Sequence, residues 1–143
     1  MYLDSAYIAK FYLNEVDAPA VRRLIGRADV LHSSSWAQLE VTSVFHRQVR
    51  EGFVTLDQGR ELMDLFRSHV ESDVWSLVPV TEAMLRRATT LMRALPREVP
   101  LRAGEAIHLA TALDIGEREI WTNDRHLLAA APHFGIAGRS ASA

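Results

Sequence analysis

The chain has no cysteine. That excludes disulfides, thiolate metal sites and a cysteine nucleophile in one step, and it fits a reducing compartment. Lysine is almost absent too: Lys10 is the only one, and the other basic residues are all Arg. The planar guanidinium suits phosphate and carboxylate, and it equally suits ordinary surface ion pairs. No apolar run is long enough to span a bilayer, and no basic segment leads into a long apolar one as in a signal peptide. A cytoplasmic location, away from any membrane, is the expectation. The net charge of -2 argues against wholesale electrostatic binding of nucleic acid, although a local basic groove is compatible with it. The motifs G-x-S-x-G, G-x-x-x-x-G-K-[ST] and G-x-G-x-x-G are all missing, which removes the nucleophile elbow, the P-loop and the dinucleotide fingerprint. The histidines include no H-x-x-x-H pair, so a zinc site is not indicated.

What is present fits one domain. The 143 residues, 48% of them hydrophobic, suffice for a single core. A domain over residues 1–138 is expected, with the small, polar stretch 139–143 as a disordered tail. "MYLD", "DVLHSS", "VWSLVPV", "EIWT" and "GIAG" read as short strands. Helical patterns fall between them, with Ser5, Asp17 and Thr81 as expected N-caps and Gly52 closing the helix that runs from Ser35 to about Arg50. Strands alternating with helices predict an α/β fold, a central parallel sheet with helices on both faces.

In such sheets function gathers at the carboxyl ends of the strands. Asp4 ends the first strand, and Asp124 follows "EIWT". If those strands are parallel neighbours, both carboxylates emerge at one edge; each is also well placed as an ordinary helix N-cap. Glu40 lies within a helix, between Trp36 and Val44 on the same face. A carboxylate on an apolar stripe is costly unless it is paired or binds a cation, or its head reaches water. Glu105 begins the helix "LRAGEAIHLATAL", beside a glycine that lets the backbone come close. It reads as a helix-start charge, as a partner of Arg102, or as part of a site. His108, three residues on, completes an E-x-x-H pair, but a di-iron centre needs two such pairs on a four-helix bundle, and His108 reads as a partly buried helix residue. Arg86, Arg93 and Arg97 share one expected helical face, either a solvated stripe or a holder of RNA or an acidic partner.

Four segments in order, "YLDSAYIAKFY", "SSSWAQLEVTSVFHR", "LRAGEAIHLATAL" and "WTNDRHLLAAA", resemble the PIN domain family, and within it the VapC-type toxins. The resemblance spans nearly the whole chain. It implies a three-layer α/β/α sandwich and a catalytic, metal-binding cluster formed by Asp4, Glu40, Glu105 and Asp124, with the hydroxyls of Ser5 and Thr122 in support. It implies Mg²⁺, with Mn²⁺ as a substitute, and hydrolysis of structured RNA such as a tRNA or ribosomal RNA loop. It further implies a homodimer and a cognate VapB-type antitoxin that covers the pocket. The helices around Phe45 and Phe66 are the expected dimer surface. The family usually has Asp where this chain has Glu105, one methylene longer. Two other readings stand beside this one: a PIN-fold binding partner with weak or lost catalysis, and a haloacid-dehalogenase-like phosphatase with Asp4 as nucleophile. The second normally carries another Asp two residues after the first, where this chain has Ala6.

Overall fold

A computed structural model describes residues 1–141. The strands are β1 (Tyr2–Leu3), β2 (His32–Ser34), β3 (Ser76–Val78), β4 (Glu119–Trp121) and β5 (Ala137–Arg139). Between them lie α1 (Ser5–Tyr12), α2 (Ala18–Ile25), α3 (Ala37–Arg50), α4 (Leu56–Glu71), α5 (Glu82–Arg93), α6 (Ala103–Asp114) and α7 (Arg125–Ala130), and a 3₁₀ turn over Ala131–Phe134 precedes β5. The sheet order is β3-β2-β1-β4-β5, and every pairing is parallel. The chain therefore builds outward from β1 to β3, then returns to add β4 on the other side of β1. That reversal of direction, between β1 and β4, is where an open parallel sheet leaves a crevice at its carboxyl edge.

β1 is central and short, and each of its side chains supports a different layer. Successive strand residues face opposite sides of a sheet. Leu3 joins the core of α1, α2, α3 and α4, with Tyr7, Val41, Phe45, Phe66 and Trp75. Tyr2 joins the opposite core, with Leu109, Ile120, Leu127, Phe134 and Ile136. α3 buries Ala37, Val41 and Phe45, an i, i+4, i+8 stripe that presents a single face. α6 differs in kind: every residue from Glu105 to Ala112 is buried, because α5 covers its outer side. Small residues allow that approach, Ala106 and Ala110 packing against Met84 and Ala88.

The structure corrects several expectations. The N-cap of α1 is Asp4, not Ser5, which is the first helical residue. Asp17 makes no side-chain cap; its carboxylate pairs with Lys10 and accepts from the Asn123 amide. Thr81 caps α5 as expected, accepting the Met84 N–H. Arg97 lies beyond the end of α5, so it shares no helical face with Arg86 and Arg93; Arg86 is paired with Glu82. Phe45 and Phe66 cannot form a dimer surface: they are 0% and 3% exposed, their rings packed edge to face in the core. An apolar repeat on one helix face does not distinguish a core face from an interface, and here α3 and α4 spend it on each other. At the end of the chain, Arg139 belongs to β5 and the Ala141 N–H donates to the Tyr7 hydroxyl, while residues 142–143 lie outside the described residues. No helix among the described residues is long and apolar enough to cross a membrane.

Candidate active site

The register of β1 against β4 fixes the first half of the site. Tyr2 pairs with Ile120 and Leu3 with Trp121, so Asp4 emerges level with Thr122. The Thr122 hydroxyl donates to Asp4 Oδ2. The other oxygen, Oδ1, accepts the Tyr7 N–H at 2.9 Å and caps α1. One oxygen of Asp4 therefore serves as the helix N-cap, and the other is held by Thr122 at the β1–β4 edge. Burial pushes the Asp4 carboxyl above its ordinary value. The Thr122 hydroxyl, the Tyr7 N–H and His108 act in the other direction without cancelling it, and the charge of Glu40 adds to it.

Glu40 reaches the same place from α3. Its Oε1 accepts from Ser5 Oγ at 2.9 Å and from His108 Nε2 at 2.7 Å. The far nitrogen of His108, Nδ1, meets the Tyr2 hydroxyl at 2.9 Å. Burial opposes ionisation of Glu40, but the His108 hydrogen bond and charge, with Ser5 and Arg102, prevail and hold its carboxyl below the ordinary value. Burial raises the Tyr2 phenol far above its usual range, so it remains protonated. Gly104 makes this convergence of α3 and α6 possible. A Cβ there would lie 3.1 Å from both Glu40 Oε2 and Trp36 Nε1.

The second half hangs on Arg102. Glu105 is 8% exposed and uses both oxygens on Arg102. Its Oε2 accepts the Arg102 backbone N–H at 2.8 Å, and its Oε1 accepts Nε at 2.8 Å and Nη2 at 2.6 Å. The backbone contact is half of a capping box, in which a residue at the third helical position reaches back to the N-cap N–H. Asp124 divides its oxygens as Asp4 does. Oδ1 caps α7 through the His126 and Leu127 N–H groups, and Oδ2 accepts Arg102 Nη2 at 3.1 Å.

All four sequence-derived carboxylates, with Ser5, thus line one cleft, and Thr122 lies directly behind Asp4. Among the described residues, Glu105, Asp124 and His126 bring their ligand atoms within 4.8 Å of one another, close enough to hold a metal ion. Asp4 and Glu40 stand outside that trio. Sequence reasoning missed two residues. The sequence shows His108 only as a partly buried helix residue, whereas in the structure its Nε2 holds Glu40 Oε1. His126 was not singled out at all; its position two residues after a helix-capping Asp was the available signal. The carboxylate oxygens of this donor set suit a hard divalent cation, and the imidazole beside them suits a borderline one. The buried Asp4 carboxylate, raised toward its neutral form, is a group whose charge a nearby cation stabilises.

Comparison with curated protein sequences gives no match. Among solved structures, the chain is similar to the VapC20 toxin of Mycobacterium tuberculosis, described as a Sarcin-Ricin loop cleaving toxin, with a TM-score of 0.71 at 15% identity over 90% of this chain and 93% of that one. At that identity the likeness speaks for the fold. The PIN domain family model matches residues 1–132, which takes in every carboxylate of the cleft. With that match over most of its length, and an all-parallel sheet carrying acidic residues at its switch point, the chain belongs to the PIN domain family.

Proposed function

We propose that this protein is a metal-dependent endoribonuclease, the toxin of a VapB–VapC-type pair, that hydrolyses phosphodiester bonds in structured RNA such as a tRNA or ribosomal RNA loop. The observation that carries this reading is the gathering of Asp4, Glu40, Glu105 and Asp124 in one cleft of a PIN domain. The similarity to a toxin described as cleaving the Sarcin-Ricin loop supports RNA as the substrate class.

Bound Mg²⁺ or Mn²⁺ supplies a water of lowered pKa and neutralises charge that develops on phosphate. The chain's own residues prepare the place. Thr122 and the α1 N-terminus fix Asp4; Ser5 and His108 fix Glu40. Glu105 and Asp124 form the facing wall, each anchored to the start of its own helix. No residue need act as a separate histidine or lysine base, consistent with the absence of a triad motif. An unpaired RNA loop exposes its backbone to such a cleft more readily than a duplex does. A VapB-type antitoxin that covers the cleft and a homodimeric assembly belong to the same reading, with a dimer surface other than Phe45 and Phe66.

The test is cleavage mapping on purified tRNA and ribosomal RNA with added Mg²⁺ or Mn²⁺. Cleavage that EDTA abolishes and that Asp4→Asn removes is the expected result. Persistent cleavage by a clean Asp4→Asn preparation overturns the reading. One observation favours a second reading, a PIN-fold binding partner with weak catalysis: Arg102 occupies both oxygens of Glu105. A silent parent and an active Glu105→Asp variant would establish it.

A further inference from the structure

We propose that Arg102 is an internal counter-cation of the Glu105–Asp124 pair, and that a divalent cation enters this half of the cleft only by displacing its guanidinium. The proposal rests on the reading above that the cleft takes a divalent cation.

The geometry is specific about which oxygens are contested. On Asp124, Oδ1 is committed to the backbone of α7, so Oδ2 is the oxygen left for the cleft, and Arg102 Nη2 holds it. On Glu105, Oε2 is committed to the Arg102 backbone N–H, so Oε1 is the one left, and the same guanidinium holds that as well. One delocalised positive charge thus bridges the two free oxygens, the role a divalent cation would take. Charge-assisted bonds of this kind are among the stronger hydrogen bonds in proteins, and the guanidinium fills both lone-pair directions of Glu105 Oε1 and one of Asp124 Oδ2, so a cation bridging these two oxygens must displace it.

The bridge is also built to open. The Arg102 side chain is 74% exposed, whereas that of Glu105 is 10% exposed. Release of the guanidinium therefore moves a solvated arm and leaves α6 in place. The capping contact uses the Arg102 main chain, so the helix start survives the exchange. Glu in place of the family's usual Asp acquires a purpose here: its extra methylene lets one carboxylate hold the cap with one oxygen and the guanidinium with the other. The consequence is a lowered apparent cation affinity, because the cleft loads only from the fraction of molecules whose tethered charge is displaced.

The test is calorimetric titration of the metal-free full chain with MnCl₂ at fixed ionic strength. Arg102→Gln removes the charge and retains the backbone cap. It is expected to bind Mn²⁺ about three- to tenfold tighter than the parent, a little above the range of a single exposed ion pair. Arg102→Lys, a charge without the fork, should fall between the two. Arg47→Gln is the control for field alone, since Arg47 lines the same cleft; it should change affinity less than about twofold. Arg102→Gln binding no tighter than the parent, or no tighter than Arg47→Gln, overturns the proposal. Absence of Mn²⁺ binding in every protein, parent included, instead overturns the divalent-cation reading on which it rests.

Discussion

The two halves of the cleft hold equal numbers of carboxylates by opposite means. Asp4 and Glu40 are held by Thr122, Ser5 and His108, which are themselves 0%, 6% and 3% exposed, so these partners are part of the core. Glu105 and Asp124 each give one oxygen to a helix start, and their other oxygens are held by a side chain that is mostly in solvent. The first half cannot rearrange without disturbing the cores on which β1 and α6 rest. The second can exchange its partner by moving one arm. A pocket that must bind and release a cation gains from that division, because preorganisation on one side fixes geometry while the other side supplies an exit.

The largest expected effect comes from breaking the fixed half. Asp4→Asn should lower RNA cleavage on the order of a hundredfold or more, since it removes a carboxylate that would hold the cation stabilising charge at the reacting phosphate. The same change should make the metal-free protein more stable at neutral pH. The sign follows from the direction of the shift. A carboxyl whose folded pKa lies above its unfolded value takes up protons on folding, so its contribution is most favourable below the ordinary carboxyl range of about 4 and is lost as pH rises through the folded value. The amide carries no such loss and can still accept the Tyr7 N–H. Thermal melts of both proteins from acid to neutral pH should show a gap in favour of Asp4→Asn that widens as pH rises. A constant gap, or one of opposite sign, would mean that Asp4 is not strained by burial.

Next in size is His108→Leu. It leaves the buried Tyr2 hydroxyl without its His108 partner and removes one hydrogen bond from the partly exposed Glu40, at a cost of about 1–3 kcal/mol. Cleavage should fall about 10- to 100-fold, the usual range for a residue that orients a ligand. Chemical denaturation reads the first effect and cleavage rates the second. A loss of stability with full activity would show that Glu40 needs no orienting partner. On the exchangeable half, His126→Gln should weaken Mn²⁺ binding by about tenfold or less and leave stability within about 0.5 kcal/mol, since a half-buried side chain at the cleft edge carries little of the core. Calorimetry and denaturation together check it, and unchanged affinity would leave the metal site to the carboxylates.

This contrast also marks how far the sequence could be read. Strand alternation with helices, the edge shared by Asp4 and Asp124, and the placement of Glu40 on the face of α3 are local patterns, and they survive in the structure. What was hidden depended on distance along the chain. His108 meets Glu40 across a sequence separation of 68, and no spacing rule connects them. Phe45 and Phe66 form a good apolar stripe, but whether a stripe meets a neighbour or a second copy is decided only by tertiary packing. Arg102 was visible as a local partner of Glu105 at i, i+3; its second bond, to Asp124, was not, because α7 reaches that place only through the β1–β4 pairing.

The smallest effect is expected where the two halves touch, at Gly104. In the first turn of a helix, Gly→Ala normally stabilises by up to about 1 kcal/mol. Here the new methyl would lie 3.1 Å from Glu40 Oε2 and from Trp36 Nε1, closer than ordinary van der Waals contact. Crowding of this kind costs about 1 kcal/mol or somewhat more, so the two contributions nearly cancel and the melting temperature of Gly104→Ala should change little. The displacement is not cancelled. Glu40 must tilt away from α6, and its bonds to Ser5 and His108 at 2.9 and 2.7 Å leave it no slack. Mn²⁺ affinity and cleavage should therefore fall several-fold in a protein of parental stability. An Ala variant with lowered stability and parental affinity would show instead that α3, rather than the carboxylate, gives way, and that the fixed half of the cleft is less fixed than its hydrogen bonds imply.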